Sequence, residues 1–450
     1  MYPITKAFKH QISKSKSTCN TLDIITSMLQ TPDFEPMINP YLENVRQRLY
    51  DPVKTLSMFV SQVLHSDSSC QNAVNQMALY DERYSIATGG YCRARQRLDP
   101  AMIKTSFQAL ARRNEHHGAS AWNWEGRDVY LVDGSTLIMS DTTANQKSYP
   151  QTSALPEGVG FPICRLVGIV SLATGSVMDA AVSPYHGKGA CEQTLLRSLL
   201  HQFKRGDVVL ADAYYSTYFL IAHMIKHGID IVFVQYGARR RSTDFSKGIQ
   251  LGKNDHLITL KKPKLKPDWM EQDAYDNADD TLTIREFKAA GKILISTMTS
   301  PERHPKKVLG NLYKQRWHVE LDLRHIKSTM GLEMLRCKTP EMAIKELWVY
   351  FLAYNMIRAI MLASALYTCV LPRMLSFKHT LQLTLALNRF DGNAERFLWL
   401  IAQKEVGNRS GRIEPRVIKR RHRNDYRLMM KPRDILREEV RKNGHPKKLK

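Results

Sequence analysis

The 450-residue chain is short of acids: 43 Asp and Glu stand against 66 Lys and Arg, a formal net charge of +23. A soluble enzyme of small metabolites does not need that excess. A polyanionic partner does, because its phosphates release counterions as Lys and Arg replace them. Cysteine pairing is also missing. The seven Cys, at 19, 70, 92, 164, 191, 337 and 369, are odd in number, widely spaced and without a C-x-x-C. That excludes a disulfide framework and a zinc cluster and predicts a reducing, cytoplasmic setting. No long hydrophobic run occurs. The longest mostly apolar stretch, Ala359 to Leu371, covers 13 residues, fewer than the roughly 20 that span a bilayer, so a buried helix is expected there. The N-terminus, MYPITKAFKHQISKSKS, has no apolar core, and no signal peptide is expected. Internal repeats and low-complexity tracts are absent. What is present is ordinary for a folded protein: 43% hydrophobic and 24% charged residues exclude wholesale disorder.

Residues 20–115 carry helical spacing, with Leu22, Ile25, Met28 and Leu29, then Met58, Phe59, Val63 and Leu64. Within them Arg93 and Arg97 stand four apart on one helix face, either against nucleic-acid phosphates or as a solvated face. The texture changes at Asp128. The run Asp128 to Asp133 reads as a short strand ending in an acid, with a turn at Gly134. A polar loop follows (140–162), then a hairpin of Ile163 to Ala173 and Ser176 to Val182 joined at Thr174-Gly175. Residues 190–203 read as a helix, Asp207 to Leu210 as a strand, 215–227 as a helix and Ile229 to Val234 as a strand. The order predicts a mixed α/β sheet. Residues 236–290 break the rhythm with Arg239, Arg240 and Arg241, a Lys/Pro stretch from Lys261 to Pro267 and alternating runs such as Thr281 to Phe287, which reads as a β-rich insertion. Lys292 to Met298 returns as a strand, and 302–335 and 340–366 read as two long helices. From Arg412 onward, 15 Lys or Arg face 5 Asp or Glu, giving either a nucleic-acid-binding arm or a loosely ordered tail.

The chemistry-bearing residues are acids. Asp133 and Asp212 each follow an apolar run directly. Carboxylates at the ends of neighbouring strands can converge, and like charges held together raise one pKa unless cations are present. Hard oxygen donors suit magnesium or manganese. The competing reading is that each Asp begins a turn. A third element is NLYKQRWHVELDLRHIKSTM, Asn311 to Met330. On a straight helix Tyr313, Arg316, Glu320, Arg324 and Lys327 fall within an arc of about 80°. One carboxylate among cations suits phosphodiester chemistry; an exposed face of i,i+4 ion pairs is the alternative. Trp317 lies past the edge of that arc, as core packing. Cys191 and Glu192 open a helix, Glu192 favouring its first turn through the dipole, and neither is assigned to chemistry.

The spacing Y-x2-R-x3-E-x6-K, filled by Tyr313, Arg316, Glu320 and Lys327, resembles the YREK signature of DDE transposases of the insertion sequence four family. Asp133-Gly134-Ser135 is similar to the first-aspartate motif, Gly206 to Asp212 to the second, and Ala94 to Leu98 to a patch in the family's N-terminal region. The likeness covers about residues 20–365. Many relatives have a basic residue after the second Asp; here Ala213-Tyr214-Tyr215 follows.

The resemblance implies a ribonuclease-H-like catalytic core with a β-rich insertion, preceded by a helical N-terminal domain and followed by a basic C-terminal segment. The corresponding boundaries are 1–120 for the helical DNA-binding region, 121–235 for the first part of the core, 236–290 for the insertion, 291–370 for the second part with the YREK helix, and 371–450 for the helical basic C-terminal region. It implies cut-and-paste cleavage and strand transfer of DNA at the ends of an insertion sequence. Asp133, Asp212 and Glu320 would hold two Mg²⁺ ions, with Mn²⁺ able to substitute. Tyr313, Arg316, Arg324 and Lys327 would contact the DNA backbone, with Arg239, Arg240 and Arg241 joining them from the insertion. Trp269, the one Trp within 236–290, would stack on a displaced base, local packing being its competing reading. The partners implied are the element's inverted repeats and target DNA, bound by a homodimer away from any membrane, in a bacterial cytoplasm on the nucleoid. A metal-dependent structure-specific nuclease and a non-catalytic DNA-end-binding remnant are the alternatives that the charge also fits.

Overall fold

The computed structural model describes residues 21–31, 34–42, 49–187, 189–387, 393–406, 415–419 and 426–447. The chain divides into two units, one ending at Glu405 and one beginning at Val406.

The first unit opens with helices α1 (Thr21–Leu29), α2 (Pro52–Leu64), α3 (Cys70–Tyr80), α4 (Thr88–Arg97) and α5 (Pro100–Trp122). Two of these starts are written locally. Asp51 accepts from the Lys54 N–H at 2.8 Å ahead of Pro52, and Ser69 accepts from the Asn72 N–H at 3.0 Å. A core of alternating strands and helices follows: β1 (Val129–Met139), β2 (Ile163–Ser171), β3 (Val177–Pro184), α6 (Glu192–Ser198), β4 (Val208–Ala211), α7 (Tyr218–His227) and β5 (Asp230–Val234). The hairpin turns at Gly175, whose φ of 75° suits glycine.

Next come β6 (Ile249–Gly252), β7 (Asp255–Lys261), β8 (Thr281–Ala289) and β9 (Lys292–Ser296). The strands of the 236–290 segment extend the main sheet, in the order β3-β2-β1-β4-β5-β9-β8-β7-β6. β2 runs antiparallel to β1 and β3, while β4 and β5 run parallel to β1. Along the β5-β9-β8-β7-β6 side of the sheet the pairings are antiparallel.

The chain then forms α8 (Lys306–Lys314), α9 (Trp317–Arg324), a π-helical turn over His325–Thr329, β10 (Met334–Leu335) beside β1, α10 (Pro340–Thr368), α11 (Phe377–Leu385) and α12 (Ala394–Ala402). The single helix expected over 302–335 is therefore broken. Arg316 N–H bonds to the Tyr313 carbonyl, His318 to Gln315 and Val319 to Arg316, all three residues back. These tighter bonds interrupt the i−4 ladder and re-aim α9. α10 is long and apolar enough by composition to cross a membrane, yet 94% of its apolar window is buried, so it is a core helix as expected for the Ala359 stretch. Thr339 caps its start, and Cys369, at φ 57°, ends it.

Alternation along β1 divides the core. Val129 and Leu131 join α5 and α10 on one face of the sheet; Tyr130 and Val132 join α6 and α7 on the other.

The second unit pairs β11 (Val417–Ile418) in parallel with β12 (Arg427–Leu428) and ends in α13 (Arg433–Asn443). Asp434 sits in the first turn of α13 and Arg441 and Lys442 in the last, each matching the helix dipole.

Candidate active site

Asp133 lies inside β1, which corrects the expected strand end and turn. Gly134, Ser135 and Thr136 stay in the strand, paired with Val167, Leu166 and Arg165 of β2. Alternation places Asp133 and Ser135 on the α10 face and Gly134 on the α6 face. Asp212 follows β4 and caps the turn Ala213–Tyr215, its Oδ1 accepting from the Tyr214 N–H at 2.8 Å. β1 and β4 run parallel with Leu131 opposite Leu210, so the two acids stand at matching heights on neighbouring strands.

Glu320 comes from α9. Arg316, at the tight turn before α9, joins the first and third acids. Its Nη1 is 3.6 Å from Asp133 Oδ2, and its Nη2 donates to Glu320 Oε1. Burial pushes the Asp133 carboxyl up to about 6; Arg316 and the Gly134 N–H oppose the rise, and the charges of Asp212 and Glu320 add to it. Acids from two other elements thus act on Asp133. Among the described residues no group of three His, Cys, Asp or Glu side chains is close enough to hold an ion unaided. In this arrangement Arg316 supplies the positive charge between Asp133 and Glu320. The donor chemistry, carboxylate oxygens under mutual repulsion, is nevertheless what a hard divalent cation relieves.

Tyr313 is buried beside these groups. Among the described residues its hydroxyl has no hydrogen-bond partner at normal geometry, and burial pushes it up to about 12, with Asp212 and Asp133 adding and Arg316 opposing. Such an orphaned group calls for a partner. Lys327, on the π turn, donates to Ser135 Oγ at 3.3 Å and to the Thr136 carbonyl at 3.0 Å, two and three residues beyond Asp133. Arg324 is exposed at the end of α9.

The remaining expected residues lie elsewhere. Arg93 and Arg97 are exposed on α4. Arg239 is half-exposed, 3.9 Å from the buried Glu286 of β8, and Arg241 is exposed. The side chain of Arg240 lies outside the described residues. Trp269 packs between elements: the Arg197 guanidinium of α6 covers its ring at 3.7 Å and Phe219 meets it edge-on. Its exposure is still 46%. Among the described residues no ion pair or hydrogen bond links any of these to the three acids.

Three residues have positions or partners that the sequence pattern does not show. Trp317, expected in the core, is 57% exposed because the turn at 315–316 rotates it outward. Asp322 is fully buried. It accepts from Tyr354 and Arg358 of α10 and from Arg373, which also donates to the carbonyls of Ser171 and Leu172. Burial works against its charge, but Arg373 and Arg358 outweigh it and hold the carboxyl below its ordinary range. A charge on the apolar face of Val319 and Ile326 was the available signal. Glu192 lies against Gly134.

Residues 124–356 match the family described as the transposase DDE domain. The transposase InsG of insertion sequence element IS4 from Escherichia coli (strain K12) is 28% identical over 316 residues, which cover 68% of this chain and 69% of that relative. The putative transposase InsL of insertion sequence element IS186A from the same organism is 31% identical over 64 residues, 14% of this chain and 17% of its own. A solved piggyBac transposase synaptic complex with hairpin DNA aligns at a TM-score of 0.45 and 10% identity, over 99% of this chain and 86% of that one. With the matched family domain filling half of its length and holding Asp133, Asp212 and Glu320, the chain belongs to the DDE transposases and is an enzyme of DNA cleavage and strand transfer.

Proposed function

We propose that Asp133, Asp212 and Glu320 are the metal-holding acids of a cut-and-paste transposase acting at the inverted-repeat ends of an insertion sequence. On this reading β3-β2-β1-β4-β5 is a ribonuclease-H-like core, 236–290 its insertion and 1–120 a DNA-binding region. Two Mg²⁺ ions, or Mn²⁺, would supply activation of the attacking oxygen and stabilisation of the leaving oxygen. The observation that carries the reading is the Arg316 guanidinium reaching Asp133 and Glu320 together, with Asp133 raised by burial first and by the charges of Asp212 and Glu320 after it.

The chain's own residues have separable tasks. β1 and β4 set Asp133 and Asp212 at one height, and α9 brings Glu320 across to them. Arg316 serves as counter-charge in the free protein and turns to phosphate when DNA arrives. The Tyr313 hydroxyl gives a buried phosphate-oxygen contact, and Lys327 and the exposed Arg324 add positive charge along the strand. Arg239, Arg240, Arg241 and Trp269 extend the contact surface from the insertion, and Arg93 and Arg97 from α4. The DNA-bound form is a homodimer on paired ends.

A strand-transfer assay tests the reading against a nuclease. The protein is incubated with Mg²⁺, a duplex bearing the element's terminal repeats and a supercoiled target. Joined product is expected. Cleavage without joining would make it a nuclease, and binding without cleavage a remnant.

A further inference from the structure

A fourth carboxylate stands behind the acids and has no task in the reading above. Glu192 opens α6, on the face of the sheet opposite the Asp133 side chain. Its carboxyl lies flat over the Gly134 backbone: a Cβ at Gly134 would stand 2.2 Å from Glu192 Cδ and 2.4 and 2.5 Å from its two oxygens. Gly134 is paired with Val167 inside β1 and is not among the positive-φ glycines, so its conformation does not require glycine. The nearby carboxylate does.

Glu192 is fixed from two further sides. The Tyr215 hydroxyl donates to its Oε2 at 3.2 Å, and Arg165 Nη1 of β2 pairs with Oε1 at 3.4 Å. The neighbouring Gln193 donates to the Tyr214 carbonyl at 2.6 Å. Tyr214 and Tyr215 belong to the turn that Asp212 caps, and the Tyr214 N–H is the one that orients Asp212 Oδ1. Two consecutive residues of α6 therefore hold the turn carrying the second acid. One of them also presses on the strand residue next to the first acid. Burial above all, and then the charges of Glu192, Asp133 and Asp212, push the Tyr215 hydroxyl above its ordinary range.

We infer that Glu192 is a positioning residue: it braces β1 at Gly134 and the turn at Tyr215, and so fixes the separation of Asp133 and Asp212. The inference rests on the reading that these two acids share the metal ions. Groups behind a ligand set that orient it are worth about 10- to 100-fold in metal affinity.

The test uses Mn²⁺ as probe on the full-length protein, with free Mn²⁺ followed by electron paramagnetic resonance and cleavage of end-bearing DNA followed as a function of Mn²⁺ concentration. Glu192→Ala should weaken Mn²⁺ binding by about 10- to 100-fold. Its cleavage should recover at saturating Mn²⁺, so that the metal requirement rises more than the maximal rate falls. Tyr215→Phe should shift binding the same way by less. Glu192→Gln keeps an acceptor for Tyr215 and should regain most of the affinity, which also guards against a folding failure of the alanine variant. Wild-type Mn²⁺ affinity in Glu192→Ala, with Asp133→Ala unable to bind, overturns the inference alone. Glu192→Gln as defective as Glu192→Ala, with cleavage not restored by saturating metal, overturns it in favour of direct participation by the carboxylate. Wild-type Mn²⁺ binding by Asp133→Ala removes the metal-site reading and this inference with it.

Discussion

Arg373 grips both oxygens of Asp322, at 2.7 and 2.8 Å. Asp322 lies two residues after Glu320 and faces the other way, into the core. Through Arg373 it is tied to the end of the β2–β3 hairpin, and through Arg358 and Tyr354 to α10. The roll of α9, and with it the direction of Glu320, is set by this buried cluster.

Asp322→Ala leaves Arg358 and Arg373 without their counter-charge. Breaking a buried pair in this way costs about 3–5 kcal/mol. A clear drop in melting temperature is expected, together with reduced DNA cleavage, because α9 loses its anchor. A melting temperature equal to that of the wild type would show that the cluster does not hold the helix.

The raised Asp133 makes stability depend on pH. In the unfolded chain an Asp titrates near about 3.9, while in the folded protein it is pushed up to about 6. Between these values the folded state keeps a proton that the unfolded state has lost. Stability therefore falls as pH rises through this window and is level above it. Asp133→Asn escapes the loss. Without metal it should be more stable than the wild type at pH 7 by roughly 1–3 kcal/mol, and the gap should close below about pH 4. Melting curves at both pH values check this; an equal gap at both would contradict it.

Lys327→Ala should weaken binding to element-end DNA at low salt. The deficit should shrink as salt rises, since an exposed phosphate contact is screened over about 10 Å at 0.1 M, and the salt slope should fall by about one. Fluorescence anisotropy across a salt series measures both. A deficit independent of salt would mean that Lys327 acts through its bonds to Ser135 and Thr136, as a strap between the π turn and β1.

Apolar runs made much of the core legible: the hairpin at Thr174-Gly175, β4 ahead of Asp212 and the buried α10 all follow from burial and turn chemistry. The hydrophobic signal stops at Asp133, so the sequence alone puts a strand end there. The strand continues through Gly134, Ser135 and Thr136 because β2 pairs with it along that length, and a polar stretch lining a site carries no burial pattern. The break before Trp317 has neither Pro nor Gly to announce it, so a straight helix hid the turn that exposes Trp317. Glu192 reads locally as a first-turn acid; its place over Gly134 depends on how α6 packs across the sheet, which no local pattern encodes.

The most direct test of the central claim is cleavage of end-bearing DNA in Mg²⁺ by Asp133→Ala, Asp212→Ala and Glu320→Ala, each measured beside its DNA affinity. The account predicts that all three lose cleavage while still binding DNA. Wild-type cleavage by any one of them would remove that residue from the metal site and contradict the three-acid centre.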